Sequence, residues 1–161
     1  MKLKLTINWE GPYSLSDVIL KMIDGGRPPH YDGEDYGIYQ IYGRHILNGD
    51  DTLLYVGKAT NQRFSTRFKQ HKRWLINEEK IRIYLGRTYH PKRHDKDDNW
   101  DTWKRDMELA EKLIINKYSP NYNSRSISQP PKLGKYQRIE LNHIGRKKQL
   151  HKKDVAPDDW I

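Results

Sequence analysis

The chain has 161 residues, enough for one domain with short extensions to bury most of its apolar surface. It contains no cysteine, which excludes disulfide bridges, thiolate metal sites and a cysteine nucleophile, and its apolar runs are too short for a membrane helix. Lys and Arg outnumber Asp and Glu by 30 to 21, and the net charge of +9 favours a polyanionic partner, with a solvated basic surface as the alternative. We therefore expect a soluble protein of the cytoplasm.

The N-terminal segment predicts a strand followed by a short helix. Apolar and polar residues alternate over 2–9, which is the period of a half-buried strand. In the helix that follows, Ser14 and Asp17 have the spacing of a capping box, and Gly25 is placed to end it. Two consecutive prolines then interrupt regular structure. Residues 1–35 are interpreted as an N-terminal extension.

Two strands and an amphipathic helix come next. Alternating patterns predict strands over about 36–42 and 52–57, joined by residues typical of a hairpin turn. After Gly57 the apolar period becomes that of a helix. A basic strip follows the flank of this helix and consists of Arg63, Arg67 and His71.

A third strand, over 80–87, and a long helix, over 100–118, complete the central part of the chain. In the long helix Glu111 lies at the border of the apolar face, where a side chain can project into a cleft, and Trp100 and Trp103 are expected to pack at its start. Beyond Pro120 a strand over 136–144 precedes a basic turn. The polar loop before the long helix carries a charged cluster that is interpreted as solvated, with a second metal site as the alternative: His90, His94, Asp95, Asp97 and Asp98.

Four blocks of the chain, in this order, resemble the GIY-YIG nuclease family. They are "GIY" at 37–39, "YVGKA" at 55–59, "RFSTRFKQH" at 63–71 and "AEKLIINKYSPNYN" at 110–123. Val56 stands where the second motif of the family has isoleucine, and the wide gap between the two tyrosine motifs fits a longer hairpin loop. The resemblance implies an α/β (α+β) fold with a small core at 36–123, in which helices flank a roughly three-stranded sheet, and a basic C-terminal extension at 124–161.

The resemblance also implies an activity: a stand-alone endonuclease that needs Mg²⁺, or Mn²⁺, and hydrolyses phosphodiester bonds in DNA. It assigns water activation to Tyr39 and orientation of water or phosphate to Tyr55. It assigns the scissile phosphate to Arg67, the metal to Glu111, and support of the active-site loop by hydrogen bonds to Asn123. Gly37 and Gly57 belong to the same motifs as structural support.

Elementary chemistry adds three expectations about the same side chains. A phenol with a pKa near ~10 needs a cationic neighbour to act as a base at neutral pH, and Lys58 is the candidate neighbour. Arg67 and His71 lie one helical turn apart, so both can reach one phosphate. Glu108 competes with Glu111 for the metal, but the helical wheel carries it away from the apolar border. Core packing of both tyrosines is the alternative to catalysis.

The remaining basic residues predict contacts with phosphates. Between 124 and 153 the chain carries nine Lys and Arg but one acidic residue, and such stretches suit a polyanion because each neutralised phosphate releases counterions. Residues expected to bind nucleic acid are Arg63, Lys69, Lys72, Arg73, Arg146, Lys147 and Lys148. A structure-specific or RNA-directed nuclease on the same core, and a non-catalytic nucleic-acid-binding module, stay open as alternatives. Specificity and oligomeric state are not indicated by any motif.

Overall fold

The computed structural model describes residues 1–23, 35–89, 99–123 and 133–156. The charged cluster of the 90–98 loop and the helix-ending Gly25 lie outside the described residues. The elements in chain order are β1 (Lys2–Tyr13), α1 (Leu15–Ile23), β2 (Gly37–His45), β3 (Gly49–Ala59), α2 (Phe64–Leu75), β4 (Arg82–Arg87), α3 (Asn99–Tyr118), β5 (Arg138–Gly145) and β6 (Lys153–Val155). The fold is therefore α+β.

Six strands of the described residues form one sheet in the order β3-β2-β4-β1-β5-β6. β2 pairs antiparallel with both β3 and β4, and β4 pairs antiparallel with β1. β1 and β5 run parallel, from the pair Lys2 and Arg138 to the pair Trp9 and Gly145. The predicted core supplies three of these strands, β2, β3 and β4, and strands from both extensions widen the sheet to six. Pairing between strands so far apart in the chain leaves no trace in local periodicity.

Helices cover both faces of this sheet. α1 and α2 lie on one face, where Val18 and Phe68 share a buried cluster with Tyr39. α3 lies on the other face, where Met107 packs in the larger cluster with Ile38. Successive residues of a strand point to opposite faces, so neighbouring positions of β2 serve the two clusters in turn. Among the described helices, none is long and apolar enough to cross a membrane.

The predicted capping box at the start of α1 and the predicted packing of two tryptophans at the start of α3 are confirmed. The Asp17 amide donates to Ser14 Oγ at 3.0 Å and the Ser14 amide donates to Asp17 Oδ2 at 3.4 Å, which completes the capping box. Trp100 and Trp103 are buried at the start of α3 with ring centroids 4.8 Å apart. Trp103 Nε1 donates to Thr88 Oγ1 at 3.0 Å, so its polar edge is satisfied inside the core.

A buried polar network attaches β6, which the sequence did not predict, to the rest of the sheet. Trp9 Nε1 donates to His143 Nδ1 at 3.0 Å, and His143 Nε2 lies 3.0 Å from Asp154 Oδ2. Asp154 also accepts from Tyr118 Oη at 2.8 Å and pairs with Lys117 Nζ at 2.6 Å. Burial acts to raise the pKa of Asp154, but these partners hold that pKa below its usual value. The network joins β1, β5, β6 and α3.

Candidate active site

A cleft of about 380 Å³ opens at the C-terminal end of β3, between α2 and α3. β3 contributes Tyr55 and Lys58, and α3 contributes Glu111. α2 contributes Arg67 and Gln70, and the intervening segment 60–62 forms the rim. Residues that the sequence assigned to one active site, although they lie far apart in the chain, thus line a single polar cavity.

Of the two motif tyrosines, only Tyr55 lines this cleft. Tyr39 is completely buried and stacks on Tyr55, with ring centroids 6.1 Å apart. Gly57 pairs with Tyr39 across the hairpin, and a Cβ at this position would overlap the Tyr39 phenol. A Cβ at position 37 would likewise overlap the carbonyl oxygen of Gly86, so Gly37 cannot be replaced without a shift of the backbone. Both glycines therefore allow close approach of neighbouring groups, and Tyr39 supports the cleft from beneath.

Arg67 is the cation that contacts the tyrosines. Its Nε donates to Tyr39 Oη at 3.3 Å and its Nη1 donates to Gln70 Oε1 at 3.0 Å. Burial raises the pKa of Tyr55, and the charge of Arg67 opposes this rise. Lys58 also lines the cleft, but its charge acts on Glu111, and no described hydrogen bond or ion pair joins it to either tyrosine; its role as their cationic neighbour stays a prediction.

His71 does not share a phosphate site with Arg67. The histidine is buried, its Nε2 lies 2.6 Å from Tyr39 Oη, and its Nδ1 accepts from Trp74 Nε1 at 2.9 Å. The prediction that His71 reaches the substrate phosphate is therefore wrong: both ring nitrogens have protein partners. Burial and the charge of Arg67 lower the pKa of His71 to about 4, which leaves the ring neutral at pH 7.

Glu111 is a half-buried carboxylate in a cleft that otherwise carries neutral and basic groups. Burial raises its pKa to about 7, which the charge of Lys58 opposes. It forms no hydrogen bond or ion pair with the residues that the structure describes. Glu108 differs, because it pairs with Lys112 at 3.2 Å and lies 3.9 Å from Lys58. Of the two competing carboxylates, only Glu111 lines the cleft.

The donor set of the cleft fits a hard divalent cation. Mg²⁺ keeps several of its waters and needs only one or two protein carboxylates. Glu111 supplies one such carboxylate. It has no hydrogen-bond or ion-pair partner among the described residues, and a bound cation would compensate its buried charge. Within residues 1–23, 35–89, 99–123 and 133–156, no three His, Cys, Asp or Glu side chains form a ready-made metal cage.

Asn123 holds β3 rather than the loop that contains it. Its Oδ1 accepts from the Val56 amide and its Nδ2 donates to the Val56 carbonyl, both at 2.9 Å. β3 is an edge strand, and the Tyr122 amide also donates to its Leu54 carbonyl at 2.7 Å. The turn after Pro120 thus covers the open edge of β3 beside Tyr55. Asn123 therefore makes the expected kind of hydrogen bond, but to β3 and not to the active-site loop.

The predicted phosphate-binding residues fall into two groups. Those on or just before α2 are exposed and form no ion pair with a described residue: Arg63, Lys69, Lys72 and Arg73. The C-terminal turn is instead bound to the protein. Arg146 Nη1 donates to the Gly11 carbonyl at 3.0 Å, Lys147 Nζ donates to the Leu150 carbonyl at 2.8 Å, and Lys148 pairs with Asp51.

Sequence reasoning missed two side chains: Gln70, which lines the cleft, and Trp74, which donates to His71 behind it. Gln70 follows Arg67 by three positions and Trp74 follows His71 by three, so both pairs are neighbours on one face of α2. The spacing was visible in the sequence, but a glutamine and a tryptophan carry no motif of their own.

No family model, no curated protein and no solved structure matches the chain. The resemblance to GIY-YIG nucleases therefore depends on the four sequence blocks.

Proposed function

We propose that the protein is a Mg²⁺-dependent endonuclease of GIY-YIG type that hydrolyses phosphodiester bonds in DNA. The observation that carries this proposal is the convergence of Tyr55, Arg67 and Glu111, from three separate elements, on one cleft. Phosphodiester hydrolysis needs a positioned water, positive charge on the non-bridging oxygens and stabilisation of the departing oxygen. The three side chains match these needs, and the four sequence blocks lead to the same assignment.

Arg67 binds the scissile phosphate in this proposal. A guanidinium presents several N–H groups in a fixed fork that suits two phosphate oxygens. Hydrogen bonds to Tyr39 and Gln70 restrict the Arg67 side chain before substrate arrives, which lowers the entropy lost on binding. The exposed basic residues of α2 extend the positive surface beyond the cleft.

Tyr55 orients the attacking water, because it is the phenol that lines the cleft. Burial raises the pKa of both Tyr55 and Tyr39, so both hydroxyls keep their protons in the free protein at pH 7. The assignment of water activation to Tyr39 stays a prediction. Its burial beneath Tyr55 favours a role in holding Arg67 through the 3.3 Å hydrogen bond.

Glu111 would hold the Mg²⁺ ion, whose chemistry when bound is to polarise the phosphate and to stabilise the departing oxygen. An acidic side chain in a cleft for a polyanion weakens binding unless a cation accompanies the substrate. A module that only binds nucleic acid gains nothing from such a residue, and this argues for the nuclease over the non-catalytic alternative.

The test is a cleavage assay on supercoiled, linear and branched DNA and on RNA, with Mg²⁺ and with EDTA. The parent protein is compared with Glu111→Gln and with the matched variant Glu108→Gln, which lies one turn away on α3. We expect cleavage that needs Mg²⁺, is lost in Glu111→Gln and persists in Glu108→Gln. Absence of cleavage by the parent on all four substrates would refute the proposal. Preferential cleavage of RNA would show that RNA, and not DNA, is the substrate.

A further inference from the structure

A line of hydrogen bonds runs along α2 into the floor of the cleft. Trp74 Nε1 donates to His71 Nδ1 at 2.9 Å, and His71 Nε2 lies 2.6 Å from Tyr39 Oη. Arg67 Nε donates to the same Tyr39 oxygen at 3.3 Å. The His71 and Trp74 rings meet edge to face with centroids 5.7 Å apart. Trp74 is thus the outermost member of a chain that ends at a cleft residue.

The direction of each bond follows from the chemistry of the two rings. An indole N–H can only donate, so His71 Nδ1 is an acceptor and carries no proton. The neutral imidazole has one proton, and that proton must then lie on Nε2. His71 therefore donates to Tyr39 Oη, and it cannot accept the Tyr39 proton.

We infer that Trp74 is a positioning residue of the cleft: its indole N–H holds His71 in the Nε2–H tautomer, so that Tyr39 Oη accepts from His71 and Arg67 together. A hydroxyl oxygen has two acceptor positions, and both are then filled. Together the two donors fix the position of the Tyr39 oxygen to which Arg67 binds. No described residue accepts the Tyr39 hydroxyl hydrogen.

Removal of the indole N–H reverses this arrangement. Without a donor at Nδ1 the imidazole can carry its proton there, and Tyr39 then donates to His71 Nε2 and loses one of its two donors. The catalytic consequence rests on the proposed function. A neutral hydrogen bond contributes about 1 kcal/mol, so we expect kcat to fall about five- to ten-fold. KM should not change, because Trp74 does not line the cleft.

Two variants remove the donor and one serves as a control. Replacement of the Trp74 indole by benzothiophene substitutes sulfur for the N–H and preserves ring shape, and Trp74→Phe is the encoded counterpart. Trp103→Phe is matched, because it deletes a buried indole N–H that binds Thr88 rather than a histidine. The tautomer of His71 is read from the ¹⁵N chemical shifts of both ring nitrogens in histidine-labelled protein without substrate. The chain has seven histidines, and His71→Gln identifies the signal.

We expect one Nε2–H form in the parent and in Trp103→Phe, with a mixture of tautomers and a lower kcat at constant KM in both Trp74 variants. A parent in the Nδ1–H form, or Trp74 variants that keep a pure Nε2–H form, would overturn the inference. A changed tautomer with unchanged kcat would also overturn it. Because the tautomer is read without substrate, a parent that cuts no nucleic acid refutes the proposed function while the His71 signal still decides whether Trp74 sets the tautomer.

Discussion

The carboxylate of Glu111 should reduce the stability of the metal-free protein, and Glu111→Gln should restore it. Burial raises the pKa of Glu111 from its usual 4.5 to about 7. The folded protein then binds this proton more tightly than the unfolded chain, so the free energy of unfolding falls as the pH rises from about 4.5 to about 7 and is level above that. The Gln variant has no proton to lose and avoids this fall.

The size of this loss of stability follows from the rise in the pKa of Glu111. At 1.36 kcal/mol per pH unit, the rise corresponds to a loss of at most about 3 kcal/mol in the free energy of unfolding. Water that reaches the half-buried carboxylate reduces this, so we expect Glu111→Gln to gain about 2 kcal/mol at pH 8. At pH 4.5 the gain should be less than about 0.5 kcal/mol, because the folded parent is then fully protonated and its unfolded chain is half protonated.

Urea unfolding in EDTA at the two pH values measures both quantities. Glu108→Gln is the control with the opposite sign: burial acts to raise the pKa of Glu108, but Lys112 and Lys58 hold it below its usual value. Its removal should therefore cost a few tenths of a kcal/mol at pH 8. Mg²⁺ added at pH 8 should stabilise the parent and not Glu111→Gln. A gain in Glu111→Gln that is equal at both pH values would refute the reasoning, since a pH-independent effect cannot come from ionisation.

Three further outcomes can be measured on the same protein. Asn123→Ala should lower the free energy of unfolding by about 2 kcal/mol, measured in urea, because both Val56 backbone groups lose their hydrogen bonds; a loss below 0.5 kcal/mol, on the order of a surface substitution, would show that water replaces the side chain. Tyr39→Phe should keep the native circular dichroism spectrum but lower kcat by about ten-fold, and full activity would exclude Tyr39 from catalysis. Alanine at residues 146–148 should change the slope of log affinity for DNA against log salt by less than one unit, because these side chains already have protein partners. A change of ~3 units would show that all three release their partners and bind phosphates.

Most helices and strands could be predicted because the residues that signal each one lie within that helix or strand. The capping box of Ser14 and Asp17 and the apolar face of α2 need no knowledge of the rest of the chain. The partner of β5 could not be predicted, since an alternating strand pairs equally well with several edges and only the full packing selects β1. β6 has only three residues, too few for a periodic signal.

In the candidate site, the sequence predicted which residues lie near one another but not which atoms their side chains contact. The motif spacing brought Tyr55, Arg67 and Glu111 to one cleft, as expected. The helical wheel placed His71 beside Arg67, but it describes only the direction of Cβ. The ring itself turns inward, because Tyr39 and Trp74 supply partners for both of its nitrogens.

Because β1 pairs in parallel with β5, which lies far later in the chain, β1 is synthesised well before its partner strand. The first half of β1 has β5 as its only described strand partner, and each residue of β5 leaves the ribosome 136 residues after its partner in β1. At ~5–20 residues per second this takes roughly 7 to 27 s, during which an apolar strand edge is open. Lys2 and Lys4 lie on that edge, and lysines on an open edge oppose pairing with other chains. Both later pair with Glu140 of β5, at 2.8 and 3.7 Å, so the residues that protect the nascent edge also close it.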